Sequence, residues 1–311
     1  MLLNEYLENG ADKNPNFPFS EFEGNSLSYQ EANLLSNQLA NKLVSEGLEV
    51  GDRFAFLAKN CTEMAIMYYA ASKVGAVPVP LNYRLADQEW AYIINDSEAK
   101  LIIVKGNEYS DRINQISSEL KNVKKYISIS LDNSIEKFQD FYDWLSDSSN
   151  EKPTLKIHEN DDVYQMYTSG TTGHPKGAVL LQRNVAANIR QYLNSLTLPR
   201  PSRTLLVAPM YHAAAMINMC GCIAIGGTIV IQEDFIPQDV VDCLANEKIT
   251  HTVLVPAMIQ ACLVSVPNVA SNEYNDLDQI HYGASPIAPE TLKKAMDVFK
   301  CKFGQGFGMT E

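Results

Sequence analysis

An α/β fold with mainly parallel sheets is what two patterns and one gross property of the 311-residue sequence predict. Short apolar, β-branched runs recur between stretches of helical spacing, which is how strand–helix–strand units read. One of those runs leads directly into a loop of glycines and hydroxyls, Thr168 to Gly177. Composition permits a large core: 46% of residues are hydrophobic and 20% charged, far from a disordered chain. The length suits two structural units, since single domains usually run to ~100–200 residues.

The strand-like runs are, in order, Arg53–Ala58, Ala76–Leu81, Leu101–Val104, Tyr126–Ile129, Val163–Tyr167, Thr204–Ala208, Thr228–Ile231, Thr250–Val255 and Gln279–Tyr282. Each is short and rich in Val, Ile, Leu, Phe or Tyr, as buried strands of parallel sheets are. Helices are predicted over Ser28–Glu46, Glu63–Val74, Gln182–Leu196, Ala213–Ile225, Pro237–Glu247 and Pro289–Phe299. Several carry small or β-branched residues suited to burial between layers. The polar stretch Asp132–Lys156 reads as surface structure or a linker between a first α/β unit and a second one bearing the loop. A change of subdomain is therefore expected near residues 150–200, with no internal repeat or heptad seam.

Lys and Arg total 25 against 37 for Asp and Glu, a net charge of −12. That balance argues against nucleic acid or anionic lipid as partners, and an anionic substrate needs a local positive site. The amino terminus lacks a basic segment followed by an apolar one, and no apolar run approaches the ~20 residues that span a bilayer. A cytoplasmic location is the expectation. The six cysteines (Cys61, Cys220, Cys222, Cys243, Cys262, Cys301) show no CxxC pair and no adjacent His cluster, so they read as reduced core residues.

The chemistry concentrates in Thr168-Ser169-Gly170-Thr171-Thr172-Gly173-His174-Pro175-Lys176-Gly177. Glycines let backbone N–H groups approach an anion, hydroxyls add donors, and one lysine supplies a compact positive charge. Phosphate is the ligand this composition suits; the bland alternative is a plain surface loop. A Walker A loop needs Gly-Lys followed by Ser or Thr, whereas Lys176 lies between Pro175 and Gly177.

This segment resembles the signature of the adenylate-forming superfamily, which includes acyl-CoA synthetases, peptide-synthetase adenylation domains and firefly luciferase. Three later segments resemble further elements of that family, in its order: Pro209-Met210-Tyr211-His212, Gly283-Ala284-Ser285-Pro286, and Gly306-Phe307-Gly308-Met309-Thr310-Glu311. Ala215 stands where many relatives have glycine, which bears on the shape of the acyl pocket. The resemblance covers essentially the whole chain and implies the large N-terminal domain of such enzymes, two mainly parallel sheets in αβαβα layers. It implies that residues 1–311 are an incomplete form of that domain, without the mobile C-terminal domain of full-length relatives.

It also implies roles. Thr168, Ser169, Gly170, Thr171, Thr172, Gly173 and Lys176 would hold the ATP phosphates; Gly283, Ala284, Ser285, Gly306, Phe307, Gly308 and Met309 would lie along the nucleotide. Thr310 would contact the α-phosphate, and Thr168 and Glu311 would ligate Mg²⁺. Lys176, His212 and Thr310 would be the catalytic set, with His212 lining the acyl site as an orienting group or gate. The bland readings are a solvated lysine, a core histidine and a packed aromatic at Phe307. The reaction implied is acid plus ATP to acyl-adenylate and pyrophosphate, followed by transfer to a thiol, commonly coenzyme A, as in fatty-acid–CoA ligases. A carrier-protein acceptor and a truncated, non-catalytic binding module are the alternatives, and a homodimer is one possible assembly. Met216, Met219 and Ile223, with Val255-Pro256-Ala257-Met258, are candidates for the acyl pocket and equally for plain core. Fatty, aryl and small branched acids all remain open.

Overall fold

The structure, a computed structural model, describes residues 1–130, 135–168, 173–196, 198 and 201–310. The chain opens with α1 (Leu3–Lys13) and the pair β1 (Pro18–Phe22) and β2 (Asn25–Ser28). It continues through α2 (Tyr29–Ser45), β3 (Arg53–Leu57), α3 (Thr62–Val74), β4 (Val77–Leu81), α4 (Asp87–Asp96), β5 (Leu101–Lys105), α5 (Asn107–Ile116), β6 (Lys125–Ile129), β7 (Phe138–Asp140) and α6 (Phe141–Leu145). A hairpin of β8 (Asp162–Thr168) and β9 (Lys176–Leu181) follows, then α7 (Gln182–Ser195), β10 (Arg203–Leu206), α8 (Ala213–Ala224) and β11 (Thr228–Ile231). Last come α9 (Pro237–Asn246), β12 (His251–Val253), α10 (Pro256–Ser265), β13 (Gln279–Gly283), α11 (Pro289–Phe299) and β14 (Lys302–Gly306).

Local chemistry sets many of these boundaries. The Ser28 hydroxyl accepts from Glu31 N at 3.2 Å while the Glu31 carboxylate accepts from Ser28 N at 2.8 Å, a reciprocal cap that starts α2. Proline opens α9, α10 and α11, where its missing N–H has no helical partner to lose. Gly75, at φ +70°, ends α3 in the left-handed region and lets the chain turn straight into β4.

Two sheets result. The larger has seven strands in the order β14-β13-β12-β10-β11-β1-β2, and the smaller five, β4-β3-β5-β6-β7. Every neighbouring pair is parallel except β1 with β2. The division between sheets does not follow the chain in order, because β1 pairs with β11 and so carries the N-terminal segment into the larger sheet. The β8–β9 hairpin is antiparallel and lies against β4.

Side-chain alternation then builds the layers. Phe54, Phe56, Leu101 and Ile103 of the smaller sheet share one apolar cluster with Leu206, Ile229 and Ile231 of the larger, around α1, α2, α3 and α8. Ala55, Leu57, Ile102 and Val104 face outward onto α4 and α5. Leu205, Val230, Ile280 and Tyr282 face outward onto α9, α10 and α11. The order is therefore αβαβα, as expected. Helix α3, buried along Met64–Val74, is its centre; each large apolar side chain enclosed there contributes about 1.5–3 kcal/mol.

The described part of Asp132–Lys156, read as surface structure or a linker, is mostly exposed but turns three side chains inward. Phe141, Trp144 and Leu145 of α6 are buried, and Trp144 Nε1 donates to Glu46 at 2.7 Å. Amides on α2 hold the return: Asn37, Gln38 and Asn41 donate to the carbonyls of Asn150, Leu145 and Ser149. The polar composition here belongs to surface structure whose backbone is paired in part with α2.

Candidate active site

Parallel strands bring their carboxyl ends to one edge, where open α/β sheets bind ligands. Asn60, just after β3, ties that edge of the smaller sheet to the larger. Its Nδ2 donates to the carbonyls of Ala208 and Gln232, both at 3.1 Å, and its Oδ1 accepts from Met210 N at 2.8 Å. This buried clamp fixes the turn between β10 and α8, and that turn carries His212.

His212 is the N-cap of α8 and is exposed. Its ring lies 4.3 Å from that of Tyr211, which packs edge-on against Tyr83 at 5.6 Å. Lost hydration, and then the charge of Arg84, hold His212 below the ordinary histidine range. A neutral imidazole at pH 7 follows, able to donate to a carboxylate without taking its proton.

The hairpin carries the described residues of the candidate phosphate loop. Thr168 ends β8, Lys176 begins β9, and the two are paired across the ladder. Gly173 has φ +112°, which glycine tolerates and other residues resist. Ser169, Gly170, Thr171, Thr172 and Glu311 lie outside the described residues. The hairpin is anchored to α4 and β3. Tyr167 Oη donates to Asp96 at 2.6 Å and accepts from Gln165 Nε2 at 3.1 Å, while Gln165 Oε1 accepts from Arg53 at 3.3 Å. The Tyr92 ring stacks on His174 with centroids 4.9 Å apart. Burial and the adjacent Asp96 push the Tyr167 phenol well above its usual range, so it stays a donor. Tyr68 of α3 joins this arm to the His212 turn, packing edge-on against Tyr164 and donating to the Met210 carbonyl at 3.2 Å.

The other arm is the end of the larger sheet. Gly283 and Gly306 pair at the ends of β13 and β14, and a Cβ on Gly283 would fall 2.5 Å from the Gly306 carbonyl oxygen. Only glycine fits that approach. Ala284 follows at φ +66°, a left-handed conformation unusual for alanine. Beyond β14, Phe307 is 97% exposed and Met309 75%; Ser285 and Gly308 are exposed as well, and Thr310 is half-buried. Exposed apolar groups of this size mark a surface built to be covered.

The model of the AMP-binding enzyme family matches residues 7–311. The chain belongs to the AMP-binding enzymes. It is 30% identical over 287 residues, 92% of its length, to the long-chain-fatty-acid–CoA ligase FadD13 of Mycobacterium tuberculosis, and covers 55% of that protein. It is also 30% identical over 309 residues to the fatty acid–[acyl-carrier-protein] ligase ScoC of Streptomyces coeruleorubidus, covering 97% of this chain and 57% of that one. Its fold matches the inhibitor-bound N-terminal domain of FACL13 from M. tuberculosis with a TM-score of 0.90 and 26% identity, over 100% of this chain and 76% of that one. The chain thus spans somewhat more than half the length of the curated relatives it matches.

Within this AMP-binding fold the described candidate residues lie on two arms, hairpin and glycine strand ends, with the His212 turn tied to the first. The apolar residues suggested for an acyl pocket do not gather. Met216, Met219 and Ile223 join the central core, whereas Met258 packs in the cluster under α9–α11 on the other side of the larger sheet. The anchoring residues Asn60, Tyr92, Asp96 and Arg84 went unread in the sequence, because their partners lie far along the chain and none stands in a motif. Among the described residues no helix is long and apolar enough to cross a membrane. Five cysteines are buried and all six are free thiols.

Proposed function

We propose that this chain is the nucleotide- and acid-binding part of an AMP-forming acid–thiol ligase. The observation that supports this most is that the hairpin, the His212 turn and the Gly283–Gly306 strand ends belong to one architecture shared with the FACL13 N-terminal domain. ATP enters as its magnesium complex. Lys176 and the loop from Thr168 to Gly173 take its phosphates, Phe307 lies against the adenine beside Gly283, Ala284 and Ser285, and Gly308 and Met309 complete the nucleotide contacts. Thr168 and Glu311 would hold the ion through oxygen, the donor type a hard cation selects.

The acid is already ionised at pH 7 and needs no general base. One carboxylate oxygen attacks the α-phosphorus, the bond to the bridging oxygen breaks, and pyrophosphate leaves as acyl-adenylate forms. Neutral His212 orients the carboxylate, and Thr310 donates to the α-phosphate where negative charge builds. A thiolate then attacks the acyl carbon and AMP leaves with the electron pair of the broken bond, giving the thioester. Coenzyme A is the acceptor we favour on the name of FadD13; the name of ScoC keeps a carrier protein as the second reading. The unpaired thiols support a cytoplasmic setting.

The test is acid-dependent pyrophosphate release by the full-length gene product, with CoA or carrier protein as acceptor, against residues 1–311 alone. The full-length protein is expected to turn over and the 311-residue chain to be weak or inactive. Release by neither form with any of a panel of fatty, aryl and short branched acids overturns the reading.

A further inference from the structure

In the reading above His212 orients the acid, yet among the described residues no hydrogen bond holds its ring. It makes no side-chain cap on α8, and its ring contact is with Tyr211, its neighbour in the chain. A site residue has to be held within a fraction of an ångström of its working place. Here that hold comes from the backbone that carries the ring.

The backbone forms a tight turn, closed by His212 N on the Pro209 carbonyl at 3.0 Å, with Met210 and Tyr211 as its central residues. Met210 is buried, and two side chains grip its peptide groups. Its N–H donates to Asn60 Oδ1 at 2.8 Å, and its carbonyl accepts from Tyr68 Oη at 3.2 Å. Both come from the β3–α3 unit of the smaller sheet, which supplies none of the candidate catalytic residues.

Asparagine suits this junction for a chemical reason. Nδ2 has two N–H donors, one for the Ala208 carbonyl and one for that of Gln232, while Oδ1 accepts. The main-chain N–H of Asn60 donates to the Glu233 carbonyl at 3.3 Å as well. Aspartate would set a carboxylate against two carbonyl oxygens. Asn60 is 2% exposed, so water cannot stand in for a lost partner. Tyr68 is fully buried, its ring edge-on to Phe56 at 5.5 Å and to Tyr164 of β8 at 5.9 Å. The hairpin and the His212 turn therefore lean on the same ring.

Resting on the ligase reading above, we propose that Asn60 and Tyr68 are positioning residues for acyl-adenylate formation: through the Met210 turn they aim His212 at the acid, and neither touches a substrate.

The experiment measures single-turnover acyl-adenylate formation by the full-length gene product at saturating ATP, using the acid of the fatty, aryl and short branched panel that it turns over fastest. Calorimetry gives ATP affinity alongside. Tyr68→Phe keeps the ring between Phe56 and Tyr164, loses the bond to Met210, and should slow the step ~10-fold; Asn60→Ser should slow it about 10²-fold, as remote misplacement by an ångström does. ATP affinity should stay within about two-fold in both, because the change falls on the chemical step. In the His212→Ala protein either substitution should alter the rate by less than about two-fold, since losses routed through one group do not add. Losses that multiply in full on top of His212→Ala overturn the proposal and leave both residues to the fold alone. Rates unchanged by Tyr68→Phe and Asn60→Ser overturn it too. A full rate for His212→Ala overturns the proposal while leaving a ligase, whereas no acid-dependent pyrophosphate release by the unaltered protein overturns the ligase reading as well. If Asn60→Ser fails to fold, Tyr68→Phe alone and combined with His212→Ala decides.

Discussion

The β8–β9 hairpin and the stretch after β14 carry similar sequence, glycines beside one or two chemically active side chains, yet the fold holds them in opposite ways. The hairpin is fastened on both sides of its tip, by Tyr167 to Asp96 and by the Tyr92 ring to His174. The Gly306–Thr310 stretch extends past its last strand pairing with Phe307 almost wholly in solvent. On the proposed reading, the described flanks of the first arm are set before ligand arrives, and the second is ordered by what covers it, at the expense of ordering entropy on binding.

This contrast is tested hardest at the tips. Lys176 is exposed and has no ion-pair or hydrogen-bond partner among the described residues, so Lys176→Ala should leave the melting temperature within about 2 °C, as exposed substitutions usually do. Adenylation by the full-length protein should fall about 10²–10³-fold, the size of loss seen when one transition-state donor is removed. Thr310→Ala should behave alike in rate. Calorimetry with single-turnover adenylation checks both, and a large drop in melting temperature for Lys176→Ala would show that the tip is structural.

An intermediate effect is expected at the hairpin's root. Tyr167→Phe removes the bond to Asp96 and leaves the ring in place. Because Asp96 is exposed, water shares its charge, and the loss should be about 1 kcal/mol in urea unfolding. Asp96→Asn should cost less, and the double variant little more than Tyr167→Phe alone. Additive losses would mean the two side chains are not coupled.

What the sequence made legible follows the same division. Thr228–Ile231 reads as a strand to the residue because it is a continuous β-branched run after Gly226 and Gly227, and Pro289–Phe299 reads as a helix because proline marks its first turn. Strand β14, Lys-Phe-Gly-Gln-Gly, has no such signature; pairing with β13 makes it a strand. Helix α1 and the β1–β2 pair were likewise missed, since a five-residue strand pairing with β11 some two hundred residues on has no local signal. At the site, the motif residues were visible as composition. Their supports were not, because Tyr167 and Asp96 stand 71 positions apart and Asn60 and Met210 stand 150 apart.

The smallest expected effect lies at the second fastening. Tyr92 stacks on His174 at an interplanar angle of 23°, and its hydroxyl donates to the Pro175 carbonyl at a long 3.4 Å. His174 is exposed, so the stack should be worth about 0.5 kcal/mol, the low end for aromatic pairs. Tyr92→Leu keeps most of the apolar contact and loses the stack. If the hairpin is preset, the variant should raise KM for ATP about two-fold, with kcat nearly unchanged, because the added freedom is removed again when the phosphates bind. His174→Ala should match it, since either change dissolves the same pair. A fall in kcat with KM unchanged would instead mean that Tyr92 and His174 act in the transition state, and the hairpin would then differ from the Gly306–Thr310 arm in chemistry as well as in rigidity.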